Sequence, residues 1–183
     1  MQVPRGSLSF VWDIPDDIDI IGHMALRLHL EVRGVGGDPY LFAAIRKYRA
    51  GSEVTFEGSY GFSGDMVSKG WQRAAHRDLD SALSTLSQPV HRHDRAEPLR
   101  PGEIVPVSIA LRPHATRFLK GDRLQVDIRG KWHYARDPLR GQFPAFYQAS
   151  PKATCILHSG GNYDAYLFLG SRASSGGLPY RES

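Results

Sequence analysis

From Met24 to Arg33 apolar and polar positions alternate without a break. Met24, Leu26, Leu28, Leu30 and Val32 share one parity; Ala25, Arg27, His29, Glu31 and Arg33 share the other. Successive side chains of a strand point to opposite faces, so this spacing predicts a strand with one buried face, whereas a helix would scatter the same residues around its axis. Gly34, Gly36 and Gly37 before Asp38-Pro39 predict a turn, and the apolar run within Tyr40 to Tyr48 predicts a second, more deeply buried strand. Val54, Phe56, Gly58, Tyr60 and Phe62 repeat the alternation. Val105, Val107, Ile109 and Leu111 alternate with Pro106, Ser108, Ala110 and Arg112; a proline has no N–H for the ladder, so this strand is expected at a sheet edge there. Lys120-Gly121-Asp122 predicts a turn into a strand bearing Leu124, Val126 and Ile128. Ala153 to Leu157 and Tyr163 to Leu169 are expected as the last two strands, joined in a tight hairpin by Ser159-Gly160-Gly161-Asn162. Leu26, Leu28, Leu30, Ile109, Leu111, Val126 and Ile128 form the expected inward set.

Helical spacing occurs at Asp78 to Leu86, where Leu79, Ala82, Leu83 and Leu86 recur before Pro89. One short helix does not change the class: eight or nine short strands with Gly/Pro punctuation predict an all-β antiparallel sandwich. Glycine and proline supply 31 of the 183 residues, about 17% against a usual ~12%, as many turns require. A chain of this length buries about 70% of the surface exposed when unfolded, enough for one core without disulfides. With no internal repeat or low-complexity linker inside residues 7–170, the expectation is one domain over 1–170 and a flexible Ser/Gly-rich tail over 171–183.

Cys155 is the only cysteine and cannot form an intrachain bridge, and the first thirty residues carry no basic start, apolar run and small-residue cleavage site. A reducing, cytoplasmic compartment is expected. No apolar run approaches the roughly 18 residues of a membrane helix, so no membrane partner is expected. Residues 91–140 hold 11 Lys/Arg against 6 Asp/Glu, but these are interleaved with acids and prolines and lack the stacking aromatics of a nucleic-acid module. No nucleic-acid partner is expected either.

The chemistry-bearing motifs fall short one by one. The G-x-S-x-G elbow that exposes a nucleophilic serine is missing: Gly61-Phe62-Ser63-Gly64-Asp65 fails at its last position and Leu157-His158-Ser159-Gly160-Gly161 at its first. Gly34-Val35-Gly36 meets Pro39 where a dinucleotide loop needs its final glycine, and no Walker-type Gly-Lys-Ser/Thr occurs. His91-Arg92-His93-Asp94 has an H-x-H spacing that could share a metal, yet Arg92, Asp94, Arg95 and Pro98 predict a solvated loop. His158, beside a glycine turn, is expected to bond backbone and fix that turn. No catalytic residue, no metal and no cofactor are assigned. Trp12, Trp71 and Trp132 could line a sugar platform, although aromatics of a sandwich are ordinarily core.

Five strings in order resemble a known family. They are Leu8-Ser9-Phe10 leading through Pro15 and Asp19 to Gly22; Gly70-Trp71-Gln72-Arg73-Ala74-Ala75-His76-Arg77; Glu97-Pro98-Leu99-Arg100-Pro101-Gly102-Glu103; Phe118-Leu119-Lys120-Gly121-Asp122-Arg123-Leu124; and His158-Ser159-Gly160-Gly161-Asn162-Tyr163-Asp164-Ala165-Tyr166-Leu167. Together, over about residues 7–170, they resemble the C-terminal domain of the cocaine-esterase and X-Pro dipeptidyl-peptidase family of serine hydrolases. The resemblance implies a jelly-roll β-sandwich of the galactose-binding-like type, which in full-length relatives packs on an α/β-hydrolase domain and a helical cap. The Ser-Asp-His triad belongs to that α/β domain, and none of its positions has a counterpart here, so the chain alone is expected to be inactive. The family's acidic D-x-D before the second long strand is matched by Asp38 at its first position and replaced by Tyr40 at its second. The chain starts almost where the sandwich starts, as a split gene product, a truncation or a standalone descendant would.

The function this implies is a non-catalytic domain that stabilises or completes a catalytic α/β-hydrolase domain or subunit. The alternatives are a lectin-like module for a carbohydrate or small polar ligand, and a homo-oligomerising sandwich. The expected docking face gathers aromatics outside clear alternation: Trp12, Trp132, Tyr134, Phe143, Phe146 and Tyr147, mostly in the irregular stretch Lys131 to Ala149. That stretch either binds the missing domain or folds back to plug the open end of its own sandwich.

Overall fold

A computed structural model describes residues 6–34, 37–58, 63–133 and 154–173. It holds eleven strands: β1 (Ser7–Asp13), β2 (Ile18–Arg33), β3 (Tyr40–Arg49), β4 (Ser52–Val54), β5 (Phe56–Glu57), β6 (Ser63–Asp65), β7 (Ser68–Arg73), β8 (Ile104–Phe118), β9 (Arg123–Arg129), β10 (Thr154–His158) and β11 (Tyr166–Ala173). One sheet runs β1-β9-β3, with β7 and then β4 along the far side of β3; the other has β2 between β8 on one side and β10 and β11 on the other. Strands β5 and β6 form a separate pair. All pairings are antiparallel. The sequence expectation of an all-β sandwich holds.

The seven expected inward residues are all buried in one core that takes Ile20, Met24, Val32, Leu41, Ala43, Ile45 and Phe118 as well. The alternation in β2 is real, but its polar parity is not solvated: Ala25, His29 and Glu31 are buried too. Loop residues cover this second face. Leu79, Leu86 and Pro89 line a small cavity with Ala25 and Ser108, and the Tyr163 ring lies 5.3 Å from that of His29.

Pro106 sits opposite His29 in β8, which pairs with β2 alone among the described residues, so the edge position is as expected. Farther along, Arg112 and Pro113 stand opposite the single residue His23, a bulge that tolerates a proline because no ladder bond is required of it. The same stretch of β2 bulges against β11, where Ile21, Gly22 and His23 face Gly170 alone.

Two local expectations fail. Asp78 to Leu86 is no helix; a 3-10 turn at Ala74–His76 precedes irregular chain. Asp80 accepts from the N–H groups of Ala82 and Leu83 as a helix N-cap does, but the turn ends at once, because Ser84 and Thr85 bond the Val90 and Gln88 carbonyls instead, and Leu83 and Leu86 are exposed. The last two strands are no hairpin either. Thr154–His158 pairs with Arg33–His29 and Tyr166–Ala173 with Arg27–Ile18, so β10 and β11 lie end to end along one edge of β2. The turn between them leaves and re-enters that ladder, closed by paired backbone bonds of 3.0 Å between Gly160 and Tyr163. β11 runs through Ala173, past the expected domain end at 170; residues 174–183 lie outside the described residues.

Candidate functional site

The strings that carry the family resemblance each build a junction. In the first, β1 places Leu8, Phe10 and Trp12 opposite Ile128, Val126 and Leu124 of β9, on the core side of the sheet. In the second, Gly70 lets β7 reach the other sheet, since a Cβ there would stand 2.1 Å from the Ala110 carbonyl oxygen of β8. Gln72 Nε2 donates to the carbonyls of His76 and Arg73, and Arg77 to that of Glu97 at 2.6 Å, holding the 3-10 turn against the third string. Leu99 of that string is buried and exchanges backbone bonds with Gly37. Asp38, the retained acid of the D-x-D pair, accepts from Arg73 Nε and the Ala75 N–H, while Tyr40 lies 5.8 Å from the Arg73 guanidinium.

The fourth string makes a charged anchor. Arg49 Nε and Nη2 donate to the two Asp122 oxygens at 2.8 Å each, and the Leu119 N–H donates at 2.9 Å. These bonds, against the opposing effect of burial, bring the Asp122 carboxyl down to about 2. Lys47 is buried beside it, 3.5 Å from Asp122, donating to the Arg117 carbonyl and 5.0 Å from the Phe118 ring centre. Burial lowers its pKa.

The fifth string brings His158 to Glu31. Its Nε2 lies 2.7 Å from Glu31 Oε2, so His158 bonds a carboxylate instead of the expected backbone. Arg33, and after it His158, holds the Glu31 carboxyl below its ordinary value. The neighbouring Ser159 stands in Leu157-His158-Ser159-Gly160-Gly161, which lacks the first glycine of an elbow. His91 is half-buried rather than fully solvated, bonding the Ser108 carbonyl at 3.0 Å; burial lowers its pKa, and His93 adds to this. His93 is exposed, its ring 5.8 Å from that of His91 and 5.7 Å from that of His76. Among the described residues no group of three or more His, Cys, Asp or Glu is arranged to hold a metal.

Of the expected docking residues, Tyr134, Phe143, Phe146 and Tyr147 lie outside the described residues. Trp12 and Trp132 are described, and they stand on opposite faces of one sheet. Trp132 packs edge-on against Phe42 and Trp71 at 5.7 and 5.6 Å, on the outer face. His133 follows it, bonding the Phe42 carbonyl at 3.2 Å, and burial pushes its pKa down to about 4. Phe42 is thereby fully buried although it points away from the core. Elsewhere on this outer face Val11 is exposed and Arg129 Nε is buried with no hydrogen-bond partner, while other polar groups gather on Asp127. Ser9, Gln125 and Arg46 bond Asp127 at 2.6, 2.8 and 2.9 Å, and together they outweigh burial and lower its pKa.

Trp12 belongs to a different surface. It is 42% exposed, Phe10 50% and Leu8 46%, although all three point inward. Opposite them Leu157, Leu167 and Leu169 are only half-buried. A cavity of about 260 Å³ opens here, lined by Phe10, Leu26, Leu28, Val126, Leu157 and Leu167 among others. Among the described residues the sandwich is therefore brought together where β7 meets β8 and left open where β1 faces β10 and β11. Leu8 and Phe10 were not among the expected site residues, yet the alternation Ser7-Leu8-Ser9-Phe10 was there to be read.

Residues 4–168 match the family described as the X-Pro dipeptidyl-peptidase C-terminal non-catalytic domain. The chain belongs to this family. Within it, the chain is similar to a CocE/NonD family hydrolase from Staphylococcus aureus, with 31% identity and a TM-score of 0.84 over 91% of this chain and 30% of that one. A second structure of a CocE/NonD family hydrolase from that organism gives 32%, 0.82, 89% and 30%. An aminopeptidase from a marine sediment Thaumarchaeota archaeon shares the fold at 17% identity and a TM-score of 0.59, over 92% of this chain and 26% of its own. This X-Pro dipeptidyl-peptidase C-terminal domain thus spans under a third of the length of the proteins it resembles. Comparison with curated proteins yields no match.

Proposed function

We propose that the chain is the C-terminal sandwich of an X-Pro dipeptidyl-peptidase or cocaine-esterase type serine hydrolase, of the jelly-roll, galactose-binding-like kind. It stabilises or completes an α/β-hydrolase domain lying outside these 183 residues. The observation that carries the reading is the family match over residues 4–168, to a domain described as non-catalytic. The missing nucleophile elbow agrees with it, and so does the use of each family string as a structural junction. A reducing, cytoplasmic setting suits the unpaired Cys155. The purified chain is expected to turn over neither activated acyl esters nor X-Pro amides. Turnover that a serine-reactive phosphonate abolishes would overturn the non-catalytic role.

A further inference from the structure

We propose that the open edge of the sandwich, where the inner side of β1 faces β10 and β11, is the surface on which the catalytic domain seats. This rests on the reading of the chain as a hydrolase's C-terminal domain and adds to it which face makes the contact.

Leu8, Phe10 and Trp12 have the parity of core residues, opposite buried Ile128, Val126 and Leu124, and are 42–50% exposed because the opposing sheet leaves them uncovered. Leu157 and Leu167 supply the facing wall, so the gap between the sheets is mostly apolar, with Arg27, His158 and Ser159 also in its lining. An apolar gap of this kind holds no well-bonded water, and filling it recovers the transfer free energy of every ring edge withdrawn from solvent. Among the described residues the opposite edge differs in kind: Gly70 brings β7 against the Ala110 carbonyl, and the smaller cavity beside it, about 110 Å³, is lined by polar groups of Asp65, Ser68, Lys69, Arg112 and His114. The outer face of the β1 sheet is held by the Ser9, Asp127 and Arg46 bonds, whose polar groups are already paired.

Two facts select the occupant. In a family described as C-terminal domains the catalytic domain precedes the sandwich, and in the S. aureus hydrolase the matched part is 30% of the chain. The chain enters the sandwich through β1, so the strand with the uncovered inner face is also the strand joined to what precedes it. A domain joined covalently to β1 meets it as an intramolecular partner, so a modest apolar contact suffices to keep it seated.

The test joins this chain to the S. aureus hydrolase in place of the part it matches, and compares the fusion with the free chain. In a Cys155→Ser background, a Phe10→Cys thiol is expected to react freely with a maleimide in the free chain and at least ~tenfold more slowly in the fusion. The Leu8→Ser, Phe10→Ser, Trp12→Ser variant is expected to split the fusion's single melting transition in two, the lower one matching the melting of the free chain with the same substitutions. A fusion that melts as one unit with Phe10→Cys still reactive would overturn the open edge as the seat and leave the C-terminal domain reading standing. Two transitions in the unsubstituted fusion would overturn both. A Phe10→Cys thiol already unreactive in the free chain would also overturn the seat, because the chain's own residues would then be covering the edge.

Discussion

Asp122 shows how one side chain ties three segments together. Its carboxylate takes both Arg49 bonds from β3 and the Leu119 N–H, its carbonyl accepts from the Ile14 N–H, and its charge opposes the burial that lowers the Lys47 pKa. Because its folded pKa is held at about 2, below the ordinary 3.8, the unfolded chain takes up the proton first as pH falls. The contribution is therefore fully present at neutral pH and is lost on descending from the unfolded value through the folded one. Asp122→Asn should cost roughly 2 kcal/mol at neutral pH and flatten the loss of stability between about pH 4 and about pH 2. Urea titrations of both proteins across that range measure it; parallel curves would show that Asp122 carries no such linkage. The turn at Lys120-Gly121-Asp122 was legible in the sequence, whereas the partners were not. Arg49 is 73 residues away, and nothing in local spacing says that the two meet.

Between elements, the closest approach of the two sheets is set by the missing side chain at Gly70. Its neighbours Lys69 and Trp71, opposite Ala44 and Phe42, both leave on the outer face, where Lys69 bonds the buried Asp65 at 2.5 and 2.6 Å and Trp71 packs on Trp132, so the strand is anchored on both sides of the glycine. Ser68 adds a bond of 2.6 Å to the Arg112 carbonyl of β8. Gly70→Ala is expected to destabilise the fold by roughly 2–4 kcal/mol, the cost of moving one backbone against another in a packed interior. A thermal or urea midpoint within error of the parent's would show that the two strands separate freely. Period-2 alternation identified β2, β8 and β9 because each has a face in the core, and a continuous apolar run identified β3, which is buried on both faces. Local spacing misled at Asp78 to Leu86, where Leu79 and Leu86 turn toward Ala25 of β2 while Ser84 and Thr85 bond Val90 and Gln88 and end the turn begun at Asp80. It also missed that β10 and β11 share one edge of β2, since pairing partners are chosen in space.

At the scale of the molecule, one core spans both sheets, and its members come from strands at both ends of the chain. Neither sheet can keep its inner face dry alone, so the chain should unfold as one unit, with calorimetric and van't Hoff enthalpies in agreement. Two separable transitions would mean that the sheets are independent. The sequence by itself determined the all-β class, the inward parity of Leu26, Leu28, Leu30, Ile109, Leu111, Val126 and Ile128, the edge position of Pro106, and the lack of a nucleophile elbow. These depend on side-chain chemistry within a few residues, which the linear order contains. The tertiary structure decided what covers the second face of β2, that His158 meets Glu31, that Trp12 and Trp132 lie on opposite sides of a sheet, and that, among the described residues, one edge is brought together at Gly70 while the other stays open. Each of these depends on how far apart two sheets stand and which strand ends beside which, and those distances arise only once the whole chain has packed.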